Sequence, residues 1–209
     1  TDYVDVMQLH NAGVEDCETG GVVQALEDMR SQGKVRWIGA STTLPHLPTY
    51  IEWGVFDVFQ IPSSAMLREH EDWIGKAAAA GIGTVIRGGV AKGEPGVGLG
   101  QADRWRTFEA AKLDELLSEG ESRTAFMLRY TLSHPDINTI IAGTLNPDHL
   151  AENARVAAVR TAAPSAASAP ASCFVIVARF VFFDFFDARQ PPPLCAEAGH
   201  AEVVIAVLE

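Results

Sequence analysis

The sequence predicts an α/β fold in which parallel strands alternate with helices. Three observations carry this. Short β-branched and apolar runs recur at Tyr3–His10, Val35–Ala40, Val55–Ile61, Ile82–Arg87 and Ile140–Ala142, each of strand length. Between them lie stretches with apolar residues at helical spacing, several closed by a glycine such as Gly33 or Gly81 just past the helix end. The strict alternation is the pattern of right-handed β-α units feeding a parallel sheet.

Composition bounds the possibilities. With 209 residues, 47% of them hydrophobic and 21% charged, the chain is long enough for one domain with a sizeable core. A formal net charge of −11 argues against nucleic acid and against anionic membrane surfaces as partners, since both select for clustered Lys and Arg. Cys17, Cys173 and Cys195 show no C-x-x-C spacing, which fits a reducing cytoplasm and no structural zinc. No signal peptide precedes the first strand, and the chain begins without Met at what reads as the inside of a domain.

The first strand ends at His10, followed by Asn11-Ala12-Gly13. A histidine at a strand's carboxyl end is where barrel enzymes place chemistry, although taken alone it is more often an ordinary hydrogen-bonded loop residue. Val23, Leu26 and Met29 give the next helix, Gly20–Gln32, its core stripe. The second strand stops at Ser41-Thr42, where Ser41 either starts the turn towards Pro45 or offers its hydroxyl. After a short helix at Leu47–Trp53, the third strand carries Gln60 near its end, a polar group in a buried run that needs a partner. A helix at Glu69–Ala80 precedes the fourth strand. The glycine-rich loop Gly88–Arg104 lacks the Lys-Ser or Lys-Thr of a phosphate-binding P-loop and reads as a flexible cover. Helices at Trp105–Leu117 and Ser122–His134 follow, with packing stripes Phe108-Leu113-Leu116 and Phe126-Leu128-Leu132.

The stretch from Thr139 to Asn153 is the most informative. An apolar run breaks at Gly143-Thr144, Asn146 suits an N-cap, Pro147 the first helical position, and Asp148 the positive end of the helix dipole. Strand, turn and helix N-terminus then leave backbone N–H groups at the strand's carboxyl end, where nucleotide phosphates are commonly held. An ordinary strand-to-helix connection has the same pattern.

GTLNPDHLAEN in this stretch resembles the last strand and following helix of the aldo-keto reductases, and DYVDVMQLH resembles that family's fourth strand. The resemblance implies a partial (β/α)8 TIM barrel with a nicotinamide dinucleotide at its mouth. His10 then matches the catalytic histidine that orients the substrate carbonyl. Ser41 and Gln60 match residues that grip the nicotinamide carboxamide. Arg87, Gly89 and Lys92 would lie along the pyrophosphate. Gly143, Thr144 and Asn146 would face the adenosine phosphate, and Glu152 and Asn153 would reach the adenine. His149 stands where many members have an arginine, and Gly143 where many have a lysine, so NADPH is expected ahead of NADH by family habit alone. Thr42 replaces an asparagine, and Pro62-Ser63-Ser64 stands where a Tyr-Asn pair is common.

A closed barrel takes about 250 residues. The resemblance covers residues 1–158 and implies only the last five of eight units, without the family's N-terminal Asp, Tyr and Lys. The expected function is an NAD(P)H-dependent carbonyl reductase of aldo-keto reductase type, cytoplasmic and acting on a small aldehyde or ketone, with this chain inactive alone. A non-catalytic remnant that binds a nucleotide or a partner chain through an open sheet edge is the alternative. A phosphate-binding aldolase or isomerase is a distant third. Residues 159–209 read as different material: a low-complexity linker, an apolar run interrupted by Arg179, Asp184 and Asp187, three prolines, and a strand-like Val203–Leu208. That segment is either foreign to the domain or an extra element covering an open sheet edge.

Overall fold

The computed structural model describes residues 2–144, 146–162, 174–176 and 202–206; for 159–162 and the last two stretches only the backbone is described. They fall into two compact units, one built on residues 2–60 with Ala80–Ile82 and 202–206, the other on Ile61–Ala79 with residues 83–144, 146–162 and 174–176.

The first unit runs β1 (Val4–His10), α1 (Val14–Thr19), α2 (Val22–Ser31), β2 (Val35–Ser41), α3 (His46–Trp53) and into β3 (Val58–Pro62). β1 and β2 are parallel, and so are β2 and β3. Because side chains alternate across a strand, Ala40 and its partner Phe59 share one face and Ser41 and its partner Gln60 the other. The first face is the core side. Phe59 and Ala40 are buried there, and a chain of rings joins Phe59 to Phe56 at 5.6 Å and Phe56 to Tyr50 of α3 at 5.2 Å.

The second unit continues with α4 (Glu71–Ala79), β4 (Gly83–Arg87), α5 (Ala102–Ala110), a 3-10 turn (Leu113–Leu116), α6 (Arg123–Ser133), β5 (Thr139–Ile141), α7 (Pro147–Ala162) and β6 (Phe174–Ile176). β4, β5 and β6 are parallel. Thr84 on β4 ties β4 to the entry of β5: its hydroxyl donates to the Asp136 carbonyl at 2.6 Å and its N–H to Asn138 Oδ1 at 2.8 Å. Ala91, Trp105, Phe108, Phe126 and Met127 form a buried cluster beneath α5 and α6.

The structure corrects the expected elements in several places. α1 is a separate helix, started by Asp16, whose carboxylate accepts from the Gly13 N–H at 3.2 Å. β3 begins at Val58 rather than Val55, because Asp57 is used in the turn, accepting from the Ile38 N–H at 2.9 Å and pairing with Arg30 at 3.0 Å. The helix expected over 105–117 is split where Lys112 takes a left-handed φ of 53°, which leaves Leu116 exposed at 61% rather than packed. Met29, expected in the core stripe of α2, is also exposed, and Leu26 alone of the three is buried. The strand-like end becomes β7 (Glu202–Ala206), antiparallel to β1 with Val6 opposite Ala206. Cys173 and Cys195, and the apolar run with its arginine and aspartates apart from β6, lie outside the described residues.

Candidate functional site

In the first unit, strand register assembles the expected residues. His10 is the Cα partner of Ser41, and Ser41 the partner of Gln60. Each ends, or nearly ends, its strand, so the three side chains form a row at the carboxyl edge of one sheet face, opposite the face packed by Phe59. Backbone bonds lock the row: the Asn11 N–H donates to the Ser41 carbonyl at 2.9 Å and the Thr42 N–H to the Gln60 carbonyl at 3.1 Å. His10 is half-buried, with its Nε2 3.4 Å from the Asn11 amide nitrogen. Ser41 is only 1% exposed, and its Oγ has no hydrogen-bond partner. A buried hydroxyl without a partner is rare, and a ligand group with a hydrogen-bonding atom would satisfy it. Gln8 is in the same position, buried with its Oε1 unpartnered. The sequence reading does not single it out, although a polar residue inside an apolar run is the signal that marks Gln60.

The loop after His10 is held from below. Tyr50 donates its hydroxyl proton to the Ala12 carbonyl at 2.7 Å, and Cys17 Sγ lies 3.2 Å from the Tyr50 hydroxyl oxygen. Burial first, and the Cys17 contact second, push the Tyr50 phenol far above its ordinary range.

In the second unit, Arg87 ends β4 with its Nε buried and unpartnered, and burial pushes its guanidinium down from its ordinary value. The Gly89 position has a packing reason: a Cβ there would collide with Ile140 and press on Thr131 Cγ2 at 3.3 Å. Lys92 is exposed, in a left-handed conformation, and lines a cavity of about 230 Å³ with Ala91, Gln101 and Arg104. At the start of α7, Asn146 is the expected cap, its Oδ1 accepting from the Asp148 N–H at 2.9 Å, and Thr144 Oγ1 accepts from the Asn146 N–H at 3.1 Å. Gly143 is exposed and His149 half-buried. Glu152 is held by the Ser122 hydroxyl at 3.0 Å, while Asn153 is buried with an unpartnered Oδ1. Register brings His10, Ser41 and Gln60 together; Arg87, Gly89, Lys92 and the residues from Gly143 to Asn153 belong to the second unit.

A model of the aldo/keto reductase family matches residues 1–168, and the chain belongs to that family. It is similar to the oxidoreductase YqkF of Bacillus subtilis (strain 168), 29% identical over 77% of this chain and 56% of that protein. The holo form of the aldo-keto reductase AKR11C1 from Bacillus halodurans superposes with a TM-score of 0.63 at 26% identity, over 75% of this chain and 54% of that one. At 17% identity and a TM-score of 0.53, the aldo-keto reductase MGS-M4 from a Medee basin deep-sea metagenome library shares the fold over 74% of this chain and 54% of its own. The chain thus spans about half the length of these relatives. Its fold is part of a (β/α)8 barrel.

Proposed function

We propose that this chain forms the cofactor-holding and carbonyl-orienting part of an NAD(P)H-dependent oxidoreductase that reduces small aldehydes or ketones to alcohols. The observation that supports it is the in-register row of His10, Ser41 and Gln60, with the Ser41 hydroxyl buried and unpartnered. In this reading His10 donates an N–H to the carbonyl oxygen, and Ser41 and Gln60 hold the nicotinamide carboxamide. Arg87, Gly89 and Lys92 lie along the pyrophosphate. Gly143, Thr144, Asn146 and His149 meet the adenosine phosphate end at the α7 N-terminus, and Glu152 and Asn153 the adenine. Bound there, the cofactor supplies a hydride to the carbonyl carbon. NADPH stands ahead of NADH by family habit, and the margin is small, because Gly143 stands where many members have a lysine and His149 where many have an arginine.

Reduction also needs a proton for the developing alkoxide. Tyr50 is committed to the Ala12 carbonyl, and Tyr130 donates to Glu71 at 2.9 Å, so neither is offered as that acid. The 209-residue chain alone therefore binds the dinucleotide without turnover. Titration with NADPH and NADH followed by tryptophan fluorescence, together with NADPH consumption against a panel of aldehydes, tests both halves: saturable binding without consumption is expected. Consumption that disappears in His10→Ala would overturn the inactivity, and no binding of either dinucleotide would overturn the function. The alternative reading, a remnant that docks a partner on an open sheet edge, loses support at β1, whose edge pairs with β7. We further assign residues 1–158 to the barrel portion, 159–209 to material of another kind, and the protein to the cytoplasm. No helix among the described residues is long and apolar enough to cross a membrane.

A further inference from the structure

The face that carries His10, Ser41 and Gln60 holds one more buried polar group. Gln8 precedes His10 by two residues on β1, so strand alternation sends both side chains to the same side. Its Cα partner on β2 is Gly39. A Cβ at position 39 would stand 2.6 Å from the Val58 carbonyl and 3.2 Å from Gln8 Cγ. The Gln8 side chain therefore lies against β2 where residue 39 has no side chain of its own. Only 4% of Gln8 is exposed, and its Oε1 accepts no hydrogen bond. One pleat further along β2, Ser41 Oγ is equally buried and equally without a partner. Two unpartnered oxygens on neighbouring strands of one face, an amide oxygen that only accepts and a hydroxyl that can donate or accept, are matched by a ligand group that carries N–H donors.

A primary carboxamide is such a group. Its nitrogen carries two N–H bonds, whereas a carboxylate in the same place carries none: it could accept from the Ser41 hydroxyl but would press its lone pairs against the Gln8 amide oxygen. We propose that Gln8 is a specificity-determining binding residue: with Ser41 it accepts the two N–H bonds of the pyridine carboxamide, so that the site takes the amide form of the dinucleotide and rejects the nicotinic acid form. This rests on the function proposed above and adds to it a residue and a choice of ligand. Gly39 belongs to the same device, because a larger residue there would displace the Gln8 side chain.

The test uses the full 209-residue chain and three probes: oxidised nicotinamide adenine dinucleotide phosphate, its nicotinic acid analogue, and 2′,5′-ADP, which has no pyridine ring. The unaltered chain is expected to bind the amide form at least about tenfold more tightly than the acid form. Gln8→Leu is expected to bring the two within about twofold by weakening the amide form, with 2′,5′-ADP affinity unchanged. Gln8→Glu keeps the acceptor and adds charge, so it should retain the amide form and exclude the acid form further. Should Gln8→Leu fail to fold, the Gln8→Glu result and the ratio in the unaltered chain carry the test. Equal binding of the two dinucleotides by the unaltered chain overturns the assignment while leaving the proposed function standing. So does a preference for the acid form, or a parallel loss of 2′,5′-ADP in Gln8→Leu. Failure to bind any of the three probes overturns the proposed function and this assignment together.

Discussion

At the scale of single residues, the site depends on a few buried polar atoms. Ser41→Ala removes one hydrogen-bonding group from the row without disturbing the sheet, so dinucleotide affinity should fall about tenfold, a single hydrogen bond's worth, while the unfolding midpoint holds. Calorimetric titration checks the first and urea denaturation the second. Gly89→Ala should act the other way. Its Cβ would overlap Ile140, which is fully buried, and overpacking of this kind costs about 1–3 kcal/mol of stability in urea unfolding. His70 gives a pH dependence. It is buried beside Glu69 and Arg87, and burial, the largest cause, holds its pKa below the ordinary 6.5 despite the opposing pull of Glu69. Below that value the unfolded chain binds the proton more readily than the folded one, so stability is at its full value above pH 6.5 and declines as pH falls through it. Denaturation at successive pH values between 7.5 and 5.5 should show the decline, and His70→Gln should flatten it. Of these positions Ser41 was legible in the sequence, because a hydroxyl at a strand's end is a local pattern. The packing reason for Gly89 and the burial of His70 were not, because each depends on residues tens of positions away.

At the scale of elements, caps decided more than hydrophobic runs did. Ser122 opens α6, accepting from the Ala125 N–H at 3.0 Å while donating to Glu152 at 3.0 Å. Ser122→Ala should cost about 0.5–2 kcal/mol by thermal unfolding, in the range of lost N-caps. The start of α7 was legible because Asn146, Pro147 and Asp148 form a cap within three consecutive residues. The late start of β3 was not, since Val55, Phe56 and Asp57 look like strand until Arg30 and the Ile38 N–H claim the Asp57 carboxylate. The break at Lys112 was hidden for a similar reason: Leu113 and Leu116 continue the helical spacing, and only the left-handed backbone at Lys112 interrupts it.

At the scale of the whole molecule, β1 is paired on both sides, by β2 in parallel and by β7 in antiparallel over Val6–His10. Truncation before Glu202 would leave the N–H and C=O groups of β1 on that side open to pairing with other chains, and self-association should rise, seen as a larger mass by light scattering. An unchanged monomer fraction would show that β7 contributes nothing to that edge. The sequence by itself determined the alternation of strands and helices, the strand-end positions of His10, Ser41 and Gln60, and the cap of α7, because periodicity and capping are written within a few consecutive residues. Only the tertiary structure decided that those three residues lie in one row, that Gln8 and Ser41 are left with unpartnered oxygens, and that β7 pairs with β1. Register and burial are set by partners distant in the chain, and no local pattern encodes which strand will lie alongside which.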